Sequence, residues 1–208
     1  MNSISYKSIE FFIIYILIPV SYSLPYSLYL KLSLGILGLF YIIYILLKVE
    51  NQKIKITPKL NWKRFWKETL IKLLIIAVLT TFFVWLTHAE VLFEIVINKP
   101  IMWGKFIFIY SLFSVYPQEL LYRTFFFKRY NLLFKNISLF IFVNAIVFSL
   151  AHLFFKNSLV IILTFLGGLL FAFTFNKTKS TLLVSVEHAI YGSWLFTVGM
   201  GGMLGFPT

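Results

Sequence analysis

Residues 11–47 read FFIIYILIPVSYSLPYSLYLKLSLGILGLFYIIYILL, and this run of 37 positions holds a single charge, Lys31. A bilayer core is crossed by roughly 20 apolar residues, so the run is too long for one crossing. Ser23-Leu24-Pro25 supplies the break, because proline has no N–H to donate and clashes with the preceding turn. The expected structure is a helical hairpin over about 9–24 and 27–48. A cleaved signal peptide is the other reading of the first half, given Lys7 and a short apolar core. No small-x-small cleavage site follows, and a second span stands directly behind it.

Outward from that hairpin the composition says the same. Of 208 residues, 60% are hydrophobic and 12% charged, against about 25% charged in a soluble domain. The net charge of +12 would suit nucleic acid, but the basic residues are scattered between apolar runs of spanning length. We therefore expect no nucleic-acid partner, and a lipid bilayer as the surroundings. The chain has no Cys, which excludes disulfides and Cys-ligated metal. The predicted fold class is all-α: one membrane-embedded domain over 1–208, a polytopic transmembrane bundle of about seven spans, or eight.

Residues 48–68 carry Lys48, Lys53, Lys55, Lys59, Lys63, Arg64 and Lys67. Within them Trp62, Phe65 and Trp66 share a helical face, which predicts an interfacial basic and aromatic helix near 59–68. Further spans are expected at about 69–88, from Pro100 to about 127, and at 137–155, 158–175 and 180–198. Gly168 and Ala172 form a small-xxx-small pair suited to close helix packing. With the 48–68 loop in the cytoplasm, fifteen of the nineteen basic residues fall on that side. This orients the amino terminus to the cytoplasm and the carboxyl terminus outside.

All seven acids are Glu, and there are three His. Glu10, Glu50, Glu68, Glu90 and Glu94 fall at span ends or in loops. Ionisable groups within spans are functional candidates by default, and these are Glu119, Arg123, His152, Glu187 and His188. Glu119 and Arg123 are four apart and share a helix face, with Pro117 just upstream to kink the helix. A structural ion pair is the plain reading of Glu119–Arg123, and a packing role that of a lone His152. At 1.5 Å per residue, Glu119 and His188 each lie roughly 13 Å from the cytoplasmic edge and His152 roughly 25 Å. The fifth helix must tilt, or start below the surface, for His152 to join the other two.

The sequence Gln118-Glu119-x-x-x-Arg123, then Phe148-x-x-x-His152, then His188, resembles the CAAX-protease and bacteriocin-processing (CPBP, Abi) family of intramembrane peptidases. That family's usual pattern is Glu-Glu-x-x-x-Arg, then Phe-x-x-x-His, then a His often followed four residues later by Asn. The resemblance covers about 101–198. It implies an endopeptidase in a bacterial inner (plasma) membrane, acting on a membrane-associated peptide or protein. It also implies that a Glu with the first His activates water, and that the last His with the Asn stabilises the oxyanion. Two positions depart: Gln118 stands for the first Glu and Gly192 for the Asn. An amide is no base, so Glu119 becomes the replacement, about 100° round the helix. Gln118 is left to donate a hydrogen bond to water or substrate, Arg123 to orient Glu119, and Glu187 to assist beside His188. A zinc-dependent version of the family's chemistry would use Glu119, His152 and His188 as ligands. The rival reading is a catalytically impaired scaffold or bacteriocin-immunity protein of the same fold. A proton-relaying transporter is weaker, because no inverted repeat is visible.

Overall fold

The computed structural model describes residues 3–51 and 61–204. Among them every regular element is helical, so the chain is all-α as its composition requires. Five helices are long and apolar enough to cross a membrane: Ile4–Ser21 (α1), Leu28–Val49 (α2), the stretch Trp62–Val91 whose α-helix is Trp62–His88 (α3), Ile137–Phe155, and Ser158–Thr178. A short helix, Glu94–Asn98 (α4), precedes continuous helix over residues 100–129 (α5). Ile137–Leu150 is α6, Ser158–Thr178 is α7, and Thr181–Leu195 is α8. α5 and α8, expected as the fourth and seventh spans, fall outside the five. Gln118, Glu119 and Arg123 in one, and Glu187 and His188 in the other, dilute their apolar character.

The helix starts follow the sequence. Asn61, Asn136 and Asn157 each precede a helix and accept hydrogen bonds from its first backbone N–H groups, the usual work of an N-cap. The predicted interfacial segment is not a separate element where it is described: 62–68 forms the first two turns of α3. No Pro or Gly separates it from the apolar part, so nothing breaks the ladder. Lys53, Lys55 and Lys59 lie outside the described residues. α3 carries the signature of a lipid-facing helix, with Leu74, Val78 and Trp85 exposed by 65%, 61% and 58%. In water such exposure would be costly; against hydrocarbon it is the stable arrangement.

The described residues group into two compact units, each discontinuous in sequence. One joins Met1–Ile56 to Pro117–Thr181, and the other joins Thr57–Tyr116 to Leu182–Thr208. In the first, α6 and α7 pack closely: a Cβ on Gly168 would lie 3.0 Å from Ala145 Cα, so only glycine lets the backbones approach this far. Gly168 and Ala172 are both buried, the packing role expected of that pair.

The same unit contains a charge network that the sequence does not announce. Glu10 lies within α1 and is buried, not left at a span end. Its Oε2 accepts from Arg129 Nε at 2.7 Å and from Tyr130 Oη at 3.1 Å. Its Oε1 accepts from Arg129 Nη2 and from Tyr41. Arg129 Nη1 also donates to Glu50 at 2.9 Å, and Lys7 lies 3.7 Å from Glu50. Two cations thus meet two anions. Burial alone would lower the Arg129 pKa, but its bonds to Glu10 and Glu50 outweigh that and raise it. Burial and the Glu10 charge together push the Tyr130 phenol well up. The network fastens the end of α5 to α1 and to the end of α2.

Candidate functional site

In the first unit the candidate residues begin at an irregular point of α5. Pro117 has no N–H, and upstream of it the ladder changes from i→i+4 to i→i+5 bonding: Tyr116 N–H donates to Ser111 O. Residues Tyr110–Val115 and Leu120–Phe125 are both π-helical, with Tyr116–Glu119 between them. Such widened turns concentrate at functional sites, and here they flank Gln118 and Glu119. The expected kink takes this form.

Glu119 and Arg123 are fully buried, with Arg123 Nε 3.3 Å from Glu119 Oε2. Arg123 Nη1 donates to Asn144 Oδ1 at 2.7 Å and to Tyr122 O at 3.3 Å, and Nη2 to Gly168 O at 3.4 Å. Its guanidinium lies over the Phe148 ring at 4.7 Å. The cation is therefore held by three neutral acceptors and an aromatic face, and its carboxylate partner sits on the same helix one turn away. Asn144 Nδ2 in turn donates to Tyr122 O at 2.6 Å. Asn144 is a site residue that sequence reasoning missed. Its signal is that of a lone amide in the apolar run Ile137–Leu150.

Phe148 joins this pair to His152. Its ring packs on the imidazole at a centroid distance of 4.9 Å, and its carbonyl lies 2.8 Å from His152 Nδ1. A carbonyl only accepts, so Nδ1 carries a proton. His152 follows the end of α6, at the turn into Leu153–Phe155. Within this unit Glu119, Arg123, Phe148 and His152 form one connected series of contacts.

In the second unit, α8 presents Glu187 and His188. Glu187 is fully buried and forms an ion pair with Lys72, and Tyr191 Oη lies 2.9 Å from Glu187 Oε1 and 3.1 Å from Thr69 O. His188 is buried and meets the Tyr110 ring edge-on at 6.3 Å. Lys72, Tyr191 and Tyr110 were all unmarked in sequence. Tyr110 is one of 12 Tyr, and nothing local distinguishes it.

Among the described residues no three His, Asp or Glu side chains are grouped to hold a metal ion.

Residues 99–194 match the family model described as type II CAAX prenyl endopeptidase Rce1-like. No curated protein and no solved structure matches the chain. The match begins within one residue of α5 and ends in α8, and it includes Gln118, Glu119, Arg123, His152, Glu187 and His188. Over residues 99–194, the stretch that carries every candidate residue, the chain is similar to the Rce1-like type II CAAX prenyl endopeptidases.

Proposed function

We propose that the protein is an intramembrane endopeptidase that hydrolyses a peptide bond of a membrane-associated peptide or protein, with Glu119 as general base. The observation that supports this most is the connected series Glu119–Arg123–Phe148–His152, of which the first three are buried. A positioned carboxylate can take a proton from an attacking water. Arg123 orients Glu119, with its own guanidinium held by the Asn144, Tyr122 and Gly168 oxygens. His152 offers Nε2 to orient the water, because Phe148 O fixes the proton on Nδ1. His188 donates to the developing oxyanion, where a low dielectric makes such a bond strongest. Gln118 hydrogen-bonds the substrate or the water. Glu187, tied to Lys72 and Tyr191, holds the His188 turn in place. The chain lies in a bacterial plasma membrane with its amino terminus in the cytoplasm.

The test compares protein termini in membranes from cells carrying wild-type protein or Glu119→Gln. New termini present with wild type and missing with the variant are expected, and they should persist in the presence of a chelator. Identical termini in both would leave the scaffold reading in its place. Cleavage lost to chelation and regained with added zinc would assign the metal mechanism instead.

A further inference from the structure

One helical turn beyond His188, at Gly192, the place a side chain would occupy is already filled. A Cβ at Gly192 would fall 2.0 Å from Tyr110 Oη, 2.7 Å from its Cζ and 2.8 Å from its Cε1. Real Cβ atoms do not approach so closely, so glycine at 192 makes room for the phenol. The order of those distances shows that the ring points hydroxyl-first at the backbone of α8. Residues 188 and 192 are four apart on that helix and share a face. The Tyr110 ring also meets His188 edge-on, with planes at 84°. Phe106 stacks on Tyr110 at 6.2 Å and 15°, and Phe106 packs against Phe196 at 4.6 Å. Phe106 on α5 and Phe196 just beyond α8 therefore fix the direction of the phenol.

We propose that Tyr110 is a further catalytic residue, its hydroxyl acting with His188 as the pair of donors to the oxyanion. The assignment rests on the endopeptidase reading above. In the step it serves, a water oxygen bonds to the scissile carbonyl carbon while the water's proton passes to the general base. The carbonyl π electrons move onto oxygen, which accepts from Tyr110 Oη–H and from His188. Collapse then breaks the C–N bond, and the proton goes to the departing amine nitrogen. Glycine at 192 is then a requirement of the donor supplied from Tyr110.

The test uses full-length protein in liposomes and an internally quenched peptide copied from a junction cleaved by wild type and spared by Glu119→Gln. Tyr110→Phe keeps the ring against Gly192 and removes one oxygen. The expected result is a fall in kcat of about 100-fold, with KM and the melting midpoint unchanged. In the background of Tyr110→Ala, adding Gly192→Asn grows an amide donor from α8 into the vacated space. This second change should raise kcat by roughly tenfold or more, as restoring a donor to an oxyanion should. Wild-type kcat in Tyr110→Phe, or a change confined to KM, would overturn the assignment while leaving the endopeptidase reading intact. Failure to find any junction that depends on Glu119 would remove both together.

Discussion

Arg123→Met separates a catalytic carboxylate from a structural ion pair. The Arg123 and Glu119 side chains have no exposure to solvent, so removing the cation leaves a buried carboxylate without its charge partner. Breaking a buried pair in this way costs roughly 3–5 kcal/mol. The loss of the 2.7 Å bond to Asn144 adds about 1 kcal/mol. At about 2–4 °C per kcal/mol for a chain of this size, the melting midpoint should fall by roughly 8–24 °C. Glu119→Gln is gentler, because the amide oxygen still faces Arg123 and the cation keeps the Asn144, Tyr122 and Gly168 oxygens. Its cost should be about 1–2 kcal/mol, the scale of one charged hydrogen bond. Cleavage should respond in the opposite order: Glu119→Gln should lose about 10²–10⁴-fold in rate as a general base is removed. The double variant, which leaves no lone charge, should melt above Arg123→Met alone. Melting is followed by tryptophan fluorescence in detergent, using the five Trp, with peptide cleavage measured per folded molecule. If Glu119→Gln melts as low as Arg123→Met and its folded fraction cleaves at the wild-type rate, the pair is structural and the reasoning fails.

Two further outcomes follow from the packing and the charge pattern. Gly168→Leu must push α6 and α7 apart, since its Cβ alone would lie 3.0 Å from Ala145 Cα; overpacking of this kind costs about 1–3 kcal/mol, and an unchanged melting midpoint would contradict the close crossing. A phosphatase reporter that works only outside the cytoplasm should be active when fused at the carboxyl terminus and inactive when inserted at Lys135, and the reverse pattern would overturn the orientation.

The sequence disclosed the helices for a plain reason: in a membrane, every backbone group must be bonded within its own segment, so apolar run length nearly decides the structure. Pro25, Asn136 and Asn157 mark ends because their chemistry acts on adjacent residues. Candidate residues on single helices were legible for the same reason, as with Glu119 and Arg123 one turn apart. What stayed hidden depends on contacts between distant segments. Glu10 is 119 positions from Arg129 and looks like an ordinary flanking charge until α1 and the end of α5 are brought together. Lys72 counts as topological until it meets Glu187. Asn144 is a hybrid case, visible as an oddity in its helix but meaningful only once Arg123 reaches it. The end of α6 was also illegible, since the apolar pattern continues through Leu153-Phe154-Phe155 while the backbone leaves the α-helix after Leu150.

The two departures from the family pattern, Gln118 and Gly192, have separate physical explanations. At Gly192 the missing side chain coincides with a phenol already in its space. At Gln118 the relevant feature is the helix itself. In an uninterrupted α-helix Glu119 faces about 100° away from position 118, and that offset counted against Glu119 as a replacement base. A turn closed by an i→i+5 bond takes up one extra residue, and Tyr116 N–H to Ser111 O is such a bond. One extra residue rotates all that follows by about one α-helical step, roughly 100°. A sequence pattern compared position by position registers a lost Glu, and it does not register a widened turn beside it.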